Sequence, residues 1–189
     1  ANQRLKAVLV PRPGDANISR AAVTLPRSTF LDQANIRTIC TRVQFAASAC
    51  PPGSIYGYAK AWTPLLREPV QGPVYLRSSD NQLPDMVAHL KGQFDVELVG
   101  EIDSVKGGIR STFAVLPDAP VTRFVLNMRG GKRSLIVNSK NICRFRGRAS
   151  VNMRGQNGRV HKTRPRVTSS ACKKGKRGKG QGKKRNGRR

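Results

Sequence analysis

The chain has 189 residues, 38% of them apolar, and its 36 Lys and Arg against 10 Asp and Glu give a formal charge of +26. That length is enough for one domain that buries its own core without a metal, and no stretch approaches the roughly 18 consecutive apolar residues of a membrane helix. The charge is lopsided: through Thr122 thirteen bases meet all ten acids, whereas Arg123 to Arg189 hold 23 bases and no acid. Such asymmetry fixes the sign of a partner, which could be nucleic acid, anionic membrane or an acidic polymer, and says little about fold.

The opening ANQRLKAVLV lacks the charged start and apolar core of a secretory signal. It begins without Met, inside a strand-like run, and reads as a mature or excised piece of a longer polypeptide whose other domains become candidate partners. Leu5, Ala7 and Leu9 alternate in LKAVLV, the turn PRPGD follows, and Ala21, Val23 and Leu25 alternate in SRAAVTLP. The stretch STFLDQANI, with Ser28 as a cap, is the best helical candidate, at about one or two turns.

Further strand-length segments follow in order: TICTRVQFA, SIYGYAKAW, GPVYLRSS, DMVAHLKG, FDVELVGEI, IRSTFAVL, VTRFVLNM and SLIVNS. Punctuators such as ACPPGS, DNQLP, SVKGG, PDAP and RGGKR separate them, and few connections could hold a crossover helix. In FDVELVGEIDSV, Phe94, Val96 and Leu98 face one way while Asp95, Glu97 and Val99 face the other, the mark of a half-buried strand. After Cys143, ASVNM and GRVHK flank a Gly-Gln-Asn-Gly turn and form a final basic hairpin.

The expected fold is all-β: an antiparallel sandwich or barrel-like domain over residues 1–172 with at most a short helical turn. Residues 173–189 hold ten Lys or Arg, five Gly and nothing apolar, so they read as a disordered tail. Its bases, Lys173, Lys174, Lys176, Arg177, Lys179, Lys183, Lys184, Arg185, Arg188 and Arg189, are the candidate contacts for an anionic polymer.

Cys40, Cys50, Cys143 and Cys172 are an even set that allows three pairings. The favoured one joins Cys40 to Cys50, provided the segment doubles back between them, and Cys143 to Cys172. Free buried thiols and a metal site are the alternatives. The set lacks a C-x2-C pair, and neither His89 nor His161 sits at ligand spacing from a cysteine. Disulfides imply an oxidising compartment, extracellular or at the cell surface.

Enzyme signatures are missing: no G-x-S-x-G elbow, no H-E-x-x-H, no P-loop, no cofactor fingerprint. His161 lies in a basic hairpin and reads as solvated, and His89 reads as a surface strand position. Asp95, Glu97, Glu101 and Asp103 could line one strand face, either opposite basic side chains of the next strand, or as a calcium site, or as the carboxylate pair of a glycosidase. Tyr56, Tyr58 and Trp62 read as core or cross-strand packing, with a sugar- or base-binding platform as the alternative.

The string RPGDANISRAAVTLPRSTFLDQANIRTICTRVQFAASACPPGSIYGYAKAWTPLL, with GPVYLRSSDNQLPDMVAHLKGQ, IDSVKGGIRSTF and PDAPVTRFVLNMRGGKRSLIVNS, resembles a β-rich domain of large predicted secreted or surface proteins of bacteria. The likeness covers about Ala1 to Cys172. It implies export, disulfide-compatible cysteines and a C-terminal place in a multidomain protein, and it supplies no catalytic residues. The expected function is non-enzymatic: structure, adhesion or assembly at the cell surface, with the tail on an anionic cell-wall polymer or membrane. The alternative is a cytosolic nucleic-acid-binding, ribosomal-protein-like chain, whose contacts would include Arg144, Arg146, Arg148 and Arg154.

Overall fold

The computed structural model describes residues 3–170 and Cys172. Its strands are β1 (Leu5–Leu9), β2 (Ile18–Thr24), β3 (Thr29–Leu31), β4 (Ile55–Trp62), β5 (Val70–Arg77) and β6 (Asp85–Leu90). They continue with β7 (Val96–Val105), β8 (Gly108–Phe113), β9 (Arg123–Met128), β10 (Ile136–Asn138), β11 (Ser150–Gly155) and β12 (Val160–Thr163). Ten of them form one curled antiparallel sheet in the order β1-β9-β4-β5-β6-β7-β8-β2-β11-β12, a half-barrel with β1 and β12 at its two edges. The remaining two, β3 and β10, pair as a small second sheet.

Period-two sequence becomes two-faced sheet because successive side chains point to opposite sides. Register aligns Gly57, Val74, Ala88 and Leu98 across four strands on the inner face. Val74 and Leu76 are 0% exposed there and Leu90 1%. Leu31, Ile36, Leu135 and Ile136, from the small sheet and its flanks, pack against that core. Small residues on the inner face let the sheet curl closely upon its neighbours. A β-carbon at Gly72 would fall on the carbonyl oxygen of His89, and one at Gly100 would lie 2.8 Å from the Phe113 ring.

The expected helical turn in STFLDQANI is present, but it is short and starts later than Ser28. STFLDQANI divides into β3 and a single 3-10 turn over Gln33–Asn35, whose N-cap is Asp32 and not Ser28. Thr29, Phe30 and Leu31 favour a strand, and Asp32 ends it. Meanwhile TICTRVQFA, read as a strand, contains the one α-helix among the described residues, α1 (Arg42–Ala46). A capping box decides it: Thr41 Oγ1 accepts from the Gln44 amide at 3.1 Å, and Gln44 Oε1 accepts from the Thr41 amide at 2.9 Å. Only Cys40 keeps a strand-like bond, donating its amide to the Leu76 carbonyl at 2.8 Å.

The helix supplies the doubling back that a local bridge requires. Cys40 and Cys50 are joined with Cα atoms 5.2 Å apart, and Cys143 and Cys172 with Cα atoms 5.3 Å apart. The first bridge clamps α1 onto the outer face of β5 and β6. Phe45 meets Tyr75 edge-on at 5.9 Å and His89 at 5.7 Å, with the Arg77 guanidinium 5.0 Å above its ring. Val87, between Tyr75 and His89 on that face, is 0% exposed. Among the described residues no helix is long and apolar enough to cross a membrane.

Candidate anion-binding surface

The outer face of the large sheet carries the charged chemistry, sorted by strand. In the middle lies an acidic strip on and around β7. Asp103 accepts from Arg110 Nε of β8 at 2.9 Å, Asp95 lies 3.4 Å from His89 Nε2, and Glu97 and Glu101 are exposed. The carboxylates thus share one face, and the acid at its end faces a base of the next strand. Asp85, 7% exposed and 3.7 Å from Arg77, has its carboxyl pushed above the usual range by burial, against the opposing pull of the Arg77 charge. Among the described residues no three His, Cys, Asp or Glu side chains are grouped to hold a metal.

His89 is not a surface residue. Its side chain is 16% exposed and roofed by Phe45. It borders a cleft of about 40 Å³ lined also by Ser48, Cys50, Tyr75 and Lys91, space for a few waters. A second hollow of about 200 Å³ lies beside Phe30, Leu83 and Ile109. Both fall below the roughly 300 Å³ where small-molecule pockets begin. The charged faces are therefore the stronger candidates.

At one end of the sheet the terminal hairpin adds to β2. A turn at Gly155 to Gly158 joins its strands, with Gly158 at φ +78°, and β11 lies between β2 and β12. The register sets Arg154 directly opposite Arg20, Lys162 opposite Asn152, and Arg148 opposite Arg166 in an isolated bridge. All four arginines are exposed. Every acid of the chain lies between Asp15 and Asp118, within the described residues. Their ion pairs go to Arg12, Arg42, Arg77, His89 and Arg110, none to this cluster. Like charges set directly opposite in a ladder are destabilising. A polyanion laid across them removes that repulsion.

The Cys143–Cys172 bridge ties the end of the described chain beside this hairpin, since Val167 donates its amide to Gly147 at 3.0 Å. The candidate contacts from Lys173 to Arg189 lie outside the described residues. His161, opposite Met153 on β12, is exposed.

The chain matches no protein-family model, no curated protein and no solved structure.

The third patch lies toward the other end of the sheet. Of the three aromatics read as core or cross-strand packing, only Tyr56 is core: it is 2% exposed, its hydroxyl accepting from the Arg37 amide at 3.1 Å and donating to the Thr38 carbonyl at 3.1 Å. A bulge between Ile55 and Gly57 sets the rest of β4 in phase, so that Tyr58, Lys60 and Trp62 point outward. Lys60 Nζ lies 5.0 Å and the Arg123 guanidinium 5.6 Å from the Trp62 ring, and the Arg129 guanidinium 5.5 Å from Tyr58. Arg129 also donates to the Tyr58 hydroxyl at 3.3 Å.

Arg20 was invisible as a site residue in the sequence because it belongs to the nearly neutral half. Only the β2–β11 register brings it to the basic hairpin. Arg148 and Arg154 were legible there, whereas their opposition to Arg166 and Arg20 was not.

Proposed function

We propose that the protein is an exported, non-enzymatic domain that holds to an anionic polymer or membrane at the cell surface, in structure, adhesion or assembly. The observation that carries this reading is the pair of opposed arginine couples, Arg20 with Arg154 and Arg148 with Arg166, left without carboxylates at the sheet end where the basic C-terminus begins. A surface that keeps like charges in register gains by binding the opposite charge. The two disulfides support an oxidising, extracellular setting for it.

Full-length protein is titrated with poly(glycerol phosphate) and with phosphatidylglycerol vesicles at several salt concentrations. Deleting Lys173 to Arg189 weakens salt-sensitive binding while Tm stays put, and adding R148Q and R166Q weakens it further. Binding indifferent to both changes refutes the reading. The cytosolic nucleic-acid reading predicts four free thiols in protein taken from its native compartment, and a count of zero is expected here.

A further inference from the structure

We propose that the outer face of β4 and β9 is a second binding site, for an acidic polysaccharide whose charged groups lie along the strand direction. Trp62, Tyr58, Lys60, Arg123 and Arg129 form it. Six strand steps, about 30 Å along the sheet, separate β4 from β11, and the acidic strip on β7 lies between them. The site stands whether or not the far basic end binds anything.

Three features select the ligand. First, Lys60, Arg123 and Arg129 make no ion pair among the described residues, although every acid of the chain is within that set. Aromatic rings hold these cations instead, through the attraction between a cation and the negative face of a ring. A ring positions a guanidinium without neutralising it, so its fork of N–H donors keeps full charge for carboxylate or sulfate oxygens.

Second, the spacing suits an extended chain. Arg123 and Arg129 lie six residues apart, roughly 20 Å along a strand, with Lys60 beside Val125 between them. Val125 is 7% exposed and lies between the two arginines on this face. Asn127, exposed opposite Tyr58, adds an amide for hydroxyl groups.

Third, the aromatic surface suits an acidic sugar. Lys60 and Arg123 both lie over the Trp62 ring, so a ligand there meets two cations beside the ring. Tyr58 is 49% exposed and offers both ring surface and a hydroxyl. A polysaccharide bearing acid groups uses all of these features together.

Trp62 is the only tryptophan in the chain, so its emission reports this site and not the far end of the sheet. Full-length protein is titrated at low salt with short oligogalacturonate, with a neutral galactose oligomer and with single-stranded DNA. A saturable change in emission with oligogalacturonate is expected, absent with the neutral oligomer and weaker with DNA at equal salt. R123Q and R129Q should each weaken it about tenfold, as loss of one charge-assisted contact implies, and R123K should fall between. R154Q with R166Q should leave the emission titration unchanged. The proposal is overturned by no change in emission, by an equal response to the neutral sugar, by tighter binding of DNA, or by indifference to R123Q and R129Q. Weaker poly(glycerol phosphate) binding in R154Q with R166Q while the emission response persists separates the two sites.

Discussion

Arg20 and Arg154 stand directly opposite each other across the β2–β11 ladder, and neither forms an ion pair among the described residues. Their repulsion costs roughly 0.2–1 kcal/mol on the scale of cross-strand pairs. R154Q should therefore raise the unfolding free energy by about that amount at low salt, with the gain shrinking as salt screens the pair. The same change should weaken polyanion binding. Thermal unfolding at two ionic strengths checks the sign, and a loss of stability at low salt contradicts it.

Gly72 is a place where no side chain fits, because its β-carbon would occupy the position of the His89 carbonyl oxygen. Gly72→Ala must push β5 away from β6 and should cost about 3 kcal/mol or more. Gly107→Ala is the control: its φ of +76° is strained for alanine, but nothing lies within 4 Å. It should cost about 1 kcal/mol. Urea unfolding of both variants measures the difference.

The Cys40–Cys50 bridge closes a separation of 10 residues and holds α1 over Tyr75 and His89. Replacing both cysteines with serine should cost about 3 kcal/mol by loop entropy. It should also free Phe45 from Tyr75, so that amide exchange in β5 and β6 speeds up while β11 stays protected. Equal loss of protection across the whole sheet would assign the bridge a global role instead.

Asp85 should titrate above the ordinary 3.8, because burial disfavours its charged form more than Arg77 favours it. As pH rises from 3.8 through the raised folded value, the unfolded chain gives up this proton first. Asp85's contribution to stability therefore declines across that window and is level above it. Arg77→Met removes the opposing charge and should move the midpoint higher still. Carbon NMR of the Asp85 carboxyl measures both, and a midpoint at or below 3.8 contradicts the burial argument.

Strands such as β4, β6 and β9 were legible because alternating apolar residues and turn punctuators fix them locally, and the all-β class follows from their number. The order of strands was not. β1 and β2 flank one turn in sequence yet pair with β9 and with β8 and β11, since pairing is chosen by core packing over long range. α1 was hidden because Arg42 to Ala46 has strand-like content, and the capping box of Thr41 with Gln44, together with the fold-back between Cys40 and Cys50, favours the helix. Tyr58 and Trp62 were misplaced for a geometric reason. The bulge at Ile55 to Gly57 shifts the phase of β4, so Tyr56 turns inward and the next two aromatics outward.

The central claim is that folded arginines at the β2–β11–β12 end of the sheet contact a polyanion. The most direct measurement is the slope of log K against log salt for poly(glycerol phosphate), compared between the full chain and R20Q/R148Q/R154Q/R166Q. Each base that neutralises a phosphate contributes about one unit of slope, so the variant's slope should be shallower by about four, with its fold intact. An unchanged slope would place the binding outside these four arginines and contradict the role of this folded face.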